Sequence, residues 1–196
     1  MQKTLKDIKH CAHFFDDIVV YGSSVQEHNK ALSEVLHTLE QNNLHLNREK
    51  CQFLKNEIEY LGQVVSEGTI RPSDKNIKSV LNCPAPENKK EVQSLMGLVN
   101  YHARYISHLS TEIEPWKKLV RKDVPFDWST DCERALKNVK RILQNKPVLA
   151  IFDPNKRSIV TCDALRKGIG GCLQQEDKNG LLRIVAYYSS ALGPQH

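Results

Sequence analysis

Apolar and polar positions alternate along the first part of the chain and then change period. His13–Tyr21 (HFFDDIVVY) holds two short apolar runs on either side of an acidic pair, the pattern of two strands around a turn. From Val25 onward Leu32, Val35, Leu36 and Leu39 recur at helical spacing, and Asn42-Asn43 mark the end of that helix. The stretch IEYLGQVVSEGTIRP, Ile58 to Pro72, offers two strand-like runs joined by Ser66-Glu67-Gly68, a hairpin with a glycine in its loop.

The period then stays helical. Pro72 and Ser73 open a stretch with Ile77, Val80 and Leu81 on one face, and Cys83-Pro84-Ala85-Pro86 stops it, because proline brings no backbone N–H to a helix. Asn88 with Glu91 has the form of a capping box and starts the clearest helix, whose stripe is Val92, Leu95, Met96, Val99, Ala103 and Ile106. Phe126-Asp127-Trp128 reads as a linker that tucks two aromatic rings into a core. Thr130 with Glu133 predicts a second capping box, ahead of Cys132, Ala135, Leu136, Val139, Ile142 and Leu143. Beyond Asn145-Lys146-Pro147 the pattern turns to strands: RSIVTCD, GIGGCLQQ, a turn at Asp177–Gly180, then LLRIVAYYSSAL. No internal repeat is evident, and strands come first, helices next, strands last.

Charge refines this organisation. Residues 1–72 carry 8 basic and 10 acidic side chains, residues 73–123 carry 9 and 6, and residues 124–196 carry 11 and 7. Nine basic residues and only two acids, Asp153 and Asp163, fall within 134–167. Such a stretch fits either a polyanion partner or a solvated basic helix face. No apolar run is long enough to span a membrane, so no membrane partner is expected. The first ten residues lack the apolar segment of a secretory signal. Six cysteines at wide, irregular spacing form no C-x-x-C pair, which argues against a structural zinc site and for core thiols in a reduced intracellular compartment, cytoplasmic or nuclear. His10, Cys11 and His13 lack a matching second ligand pair and read as a helix end and a strand start.

The residues able to carry chemistry are few. Asp16 and Asp17, adjacent at a tight turn, offer the oxygen ligands that suit Mg²⁺. The ordinary alternative is a turn aspartate bonded to its own backbone. Gly168, Gly170 and Gly171 read as packing glycines, since no phosphate-loop motif is present.

The order of these elements adds more. The segment from HFFDDIVVYG to CPAP, followed by EVQSLMGLVNYHARYI, resembles reverse transcriptases of gypsy-type LTR retrotransposon Pol polyproteins, and the resemblance runs over nearly the whole chain. Phe14-Phe15-Asp16-Asp17 matches the family's Tyr-x-Asp-Asp box, with Phe14 keeping the ring of the tyrosine and losing its hydroxyl. Glu59-Tyr60-Leu61-Gly62 matches the hairpin that grips the primer strand. Thr161-Cys162-Asp163-Ala164 resembles the opening of the family's RNase H domain, with Cys162 inserted in the literal string and Asp163 aligned with the first metal-binding aspartate.

The resemblance implies an α+β fold in three parts: a palm end with its β-hairpin, helix and primer-grip-like hairpin over 1–72, a helical thumb over 73–123, and a connection helix with a truncated RNase H-like β-meander over 124–196. It implies Asp16, Asp17 and Asp163 as catalytic metal ligands for Mg²⁺ or Mn²⁺, held weakly by this segment. Tyr101 and Arg104 become candidate contacts to an RNA–DNA or DNA template–primer duplex, together with Glu59, Tyr60, Leu61 and Gly62. The remaining polymerase ligand is expected before Met1 and the remaining RNase H ligands after His196, on the rest of the polyprotein, so the segment alone is expected to be inactive. A non-catalytic nucleic-acid-binding module and a decayed retroelement remnant are the alternatives.

Overall fold

The structure, a computed structural model, describes residues 4–165 and 168–192 and divides into two compact units, one up to Asn56 and one from Glu57.

In the first unit, β1 (Cys11–Phe14) and β2 (Asp17–Val20) form an antiparallel hairpin in which Phe14 faces Asp17, leaving Phe15-Asp16 as a two-residue turn. α1 (Val25–Gln41) follows, capped by the Ser24 hydroxyl, which accepts from the Glu27 amide. Its buried face is Ala31, Val35 and Leu39, whereas Leu36, expected on the apolar stripe, is exposed. The core here is small: Leu5, Val35 and Leu39, flanked by Ile8, Cys11, Ile18, Val20 and Leu44.

The second unit opens with β3 (Glu57–Tyr60), β4 (Gln63–Ser66) and β5 (Thr69–Pro72), an antiparallel run completed by the two-residue β6 (Leu149–Ala150). The stretch read as two runs is therefore three strands. The first run folds back at Leu61-Gly62, where both residues adopt left-handed backbone angles, φ 49 and 68. Leucine is no turn signal, so pattern alone does not show this reversal.

α2 (Asp74–Leu81) is capped by Ser73, and α3 (Lys89–Asn100) by Asn88, whose side chain accepts from the Glu91 amide while Glu91 accepts from the Glu87 amide at 2.8 Å. After a single 3₁₀ turn at Ala103–Tyr105 come two short helices, α4 (Leu109–Glu112) and α5 (Glu114–Leu119). α6 (Thr130–Gln144) begins one residue earlier in its capping than Thr130 predicts. Ser129 accepts from the Cys132 amide, and Glu133 instead receives the Trp128 indole N–H at 3.0 Å.

These helices share one core. Val80, Val92, Val99, Ile106, Trp116, Val139 and Leu143 are fully buried there, and Trp116 donates its indole N–H to the Cys132 carbonyl at 3.0 Å. Phe126 and Trp128 pack against this core, and Trp128 stacks on Trp116 at 6.4 Å between ring centres, as the aromatic linker predicts.

β7 (Ser158–Leu165), β8 (Gly168–Glu176) and β9 (Leu182–Ala191) close the chain as an antiparallel meander. Two of its glycines pack against the helical part. Gly170 lies under the His108 ring, where any Cβ would collide, and Gly168 sits beside Ser110 and Thr111. The Ser189 hydroxyl accepts from the Ser110 amide at 2.9 Å and meets the Ser110 hydroxyl at 2.7 Å. Buried Gln175 ties down the loop before β7 by bonding both the amide and the carbonyl of Asp153.

Candidate functional site

The Asp-Asp pair stands at the tip of the β1–β2 hairpin. Asp16 occupies the turn, Asp17 begins β2, and both side chains are exposed. Phe15 beside them is 74% exposed with a left-handed backbone (φ 52), its ring edge-on to Phe14 at 4.7 Å. A bulky aromatic in that backbone region is strained, and strain of this kind gathers where function shapes a turn. His10, near this hairpin in sequence, is engaged elsewhere. Its ring nitrogen lies 3.1 Å from the Glu27 carboxylate, and its ring sits edge-on to Tyr21.

The two carboxylates suit a hard divalent cation in the type of their donor atoms. They fall short in number. Among the described residues no three His, Cys, Asp or Glu side chains gather into a group that could hold a metal ion. Asp163 stands exposed on β7, directly opposite Gly170.

In the second unit the β3–β4 turn is anchored from outside the hairpin. The Tyr101 hydroxyl donates to the Leu61 carbonyl, and the Asn76 side-chain amide and the Ser73 backbone N–H both donate to the Gly62 carbonyl at 3.0 Å. Glu59 and Leu61 remain exposed, whereas Tyr60 is half-buried. Tyr101 thus spends its hydroxyl inside the protein while keeping 48% of its surface exposed. Arg104 turns toward the meander, with its guanidinium 3.5 Å from the Val185 carbonyl and over the Tyr105 ring.

A residue the sequence pattern did not single out lies on the same helix. Gly97 sits in the middle of α3, exposed, with open space wherever a Cβ would stand. Glycine in a helix interior costs about 1 kcal/mol relative to alanine, and no packing within the chain requires it. Gln93 one turn before and Tyr101 one turn after share its face. The readable signal was an unexplained glycine inside an otherwise strong helical stretch.

Part of the basic stretch 134–167 has partners within the chain. Arg134 pairs with Asp131 at 2.8 Å, Lys137 lies 3.6 Å from Glu133, Lys146 pairs with Asp74 at 2.8 Å, and Lys140 donates to the Cys83 carbonyl. Arg166 and Lys167 lie outside the described residues. Arg141, Lys156 and Arg157 are exposed, so cations of this stretch remain available to a polyanion.

Comparison with known proteins agrees with this anatomy. A family described as reverse transcriptase (RNA-dependent DNA polymerase) matches residues 1–65, and one described as an RNase H-like domain found in reverse transcriptase matches residues 128–196. The Tf2-3 and Tf2-7 transposon polyproteins of Schizosaccharomyces pombe (strain 972) are 33% and 32% identical over 183 residues, 93% of this chain. The chain spans 14% of the length of those relatives. Two solved structures share the fold at 24% identity. One is the foamy viral protease–reverse transcriptase with double-stranded DNA, with a TM-score of 0.85 over 98% of this chain and 34% of that one. The other is the same kind of protein with an RNA/DNA hybrid, with a TM-score of 0.82 over 98% and 26%. The chain belongs to the reverse transcriptases of gypsy-type retrotransposon polyproteins, as a segment that joins a polymerase region to an RNase H-like domain.

Proposed function

We propose that this segment holds a template–primer duplex and contributes Asp16 and Asp17 to the nucleotidyl-transfer centre of a larger polymerase. The observation that carries this reading is the exposed carboxylate pair on a strained two-residue hairpin turn. Residues 1–72 then serve as the palm end, 73–123 as the thumb, and 124–196 as the connection and opening of RNase H, with Asp163 as its first acidic ligand. Mg²⁺ or Mn²⁺, when bound, supplies charge stabilisation at the transferring phosphoryl group. Asp16 and Asp17 offer two of the oxygens that such an ion needs.

Holding the duplex is the work of the second unit. Gln93, Gly97 and Tyr101 make an uncharged, exposed strip along the face of α3, and the open space at Gly97 leaves room for a duplex beside the helix backbone. Glu59, Tyr60, Leu61 and Gly62 place a short turn for the primer strand. Arg104, half-buried between the Tyr105 ring and the Val185 carbonyl, is a further candidate contact to the duplex. That proteins of the same fold are solved with double-stranded DNA and with an RNA/DNA hybrid supports a duplex as partner. The rest of the Pol polyprotein is the other partner, consistent with the small share of its relatives that this chain spans.

Two carboxylates hold a divalent ion weakly, and groups that act as a catalytic unit lose most of their effect when one is missing. Primer extension with Mg²⁺ or Mn²⁺ tests this directly. The segment alone is expected to give no product. Product that disappears in Asp16→Asn would show a complete centre and overturn the shared-centre reading. Failure to bind an RNA–DNA hybrid at low salt would overturn the duplex-holding reading.

A further inference from the structure

We propose that Asn76 and Tyr101 are positioning residues that lock the Leu61–Gly62 turn to the helical part of the second unit. The β3–β4 hairpin and α3 then present one preformed surface, and its use on nucleic acid rests on the duplex-holding reading above.

The turn does not hold itself. A two-residue turn with both φ angles positive suits Asn-Gly or Gly-Gly, and a leucine in the first place opposes it. Leu61 and Gly62 nonetheless adopt φ 49 and 68. Both of their carbonyls are captured from elsewhere: that of Leu61 by the Tyr101 hydroxyl, that of Gly62 by the Asn76 side-chain amide and the Ser73 backbone N–H. The fit is close enough that a Cβ on Gly62 would run into the Asn76 amide nitrogen and the Tyr101 hydroxyl. One residue further on, the Tyr105 hydroxyl and the Gln63 side-chain oxygen lie 2.8 Å apart. Fully buried His102 backs the arrangement, its ring edge-on to Tyr101 at 5.1 Å.

The division of labour within Tyr101 follows. Its tip anchors the turn, while its ring face continues the exposed strip of Gln93 and Gly97. A hairpin held this way cannot shift without moving the end of α3. The surface offered to a ligand is thus set before binding, which lowers the cost of ordering it.

Amide hydrogen exchange on the 196-residue chain, read by mass spectrometry, tests the lock, alongside hybrid binding by fluorescence anisotropy. Tyr101→Phe keeps the ring and removes the donor. Asn76→Asp keeps the shape and removes the donor. Each is expected to speed exchange across residues 57–66 about tenfold while leaving residues 130–144 unchanged. Each should also weaken hybrid binding about fivefold, with Tyr101→Phe reproducing most of the loss seen in Tyr101→Ala. Wild-type exchange over 57–66 in both donor-removing variants, or faster exchange everywhere, overturns the lock. A lost lock with hybrid affinity intact overturns its coupling to binding. A wild-type chain that binds no hybrid removes the duplex reading and leaves the exchange result to decide the lock alone.

Discussion

Gly97 and His102 show how single side chains report on function and on stability separately. Replacing Gly97 by alanine removes a helix-weakening residue at a site with room for a methyl group. The variant should gain about 1 kcal/mol in thermal or denaturant unfolding. On the duplex-holding reading it should also bind an RNA–DNA hybrid more weakly, because the methyl group would fill open space beside the α3 backbone. A gain in stability with unchanged binding would leave the glycine unexplained.

His102 is buried with neither ring nitrogen satisfied by a side-chain partner, and burial lowers its pKa below the ordinary 6.5. The unfolded chain therefore takes up this proton first as pH falls. Stability is full above about 6.5 and declines below it, by up to about 1.4 kcal/mol per pH unit until the folded form also protonates. A pH series of unfolding midpoints should show this acid slope in the wild type and a shallower one in His102→Phe. Equal slopes in both would contradict it.

At the scale of elements, the paired tryptophans join the linker to the helical core. Trp116 is fully buried, bonds the Cys132 carbonyl and stacks on Trp128. Trp116→Ala should cost about 3–5 kcal/mol in denaturant unfolding, since it leaves a large cavity in the core. A loss under about 1 kcal/mol would mean that the Trp116 ring does not hold this core together.

The elements themselves were legible wherever local chemistry determined them. Helical spacing located α1, α3 and α6, and Asn88 with Glu91 located the start of α3. The Asp16-Asp17 turn was visible because two strand-like runs enclosed it. What stayed hidden depended on distant partners. The Leu61–Gly62 reversal relies on Tyr101 and Asn76, and so it does not announce itself through turn residues. Tyr101 and Arg104 were read as nucleic-acid contacts, and their bonds to Leu61 and Val185 within the chain could not be seen from spacing. Leu36 fitted the helical period and is exposed, because the small core of the first unit reaches only as far as Ala31, Val35 and Leu39. Ser129 took the capping role from Thr130 by standing one residue earlier, which spacing alone does not resolve.

For the whole molecule, the meander presents two unlike faces. Gly168, Gly170 and Ser189 lie against the helical part, whereas Val160, Cys162, Ile169 and Tyr188 share the opposite face, with Val160 66% and Tyr188 65% exposed. An open apolar sheet face of this kind favours self-association. Light scattering against concentration should show association in the wild type and less in Val160→Lys with Tyr188→Lys, at similar unfolding midpoints. Undiminished association in the double variant would place the sticky surface elsewhere.

The most direct test of the account is a titration of labelled RNA–DNA hybrid against the chain between about 50 and about 200 mM salt. Affinity should fall linearly on logarithmic axes as salt rises, and Gly97→Ala should lie below the wild type at every salt with the same slope, since it removes no charge. Absence of binding at the lowest salt, or Gly97→Ala binding as well as the wild type, would contradict a duplex held against α3.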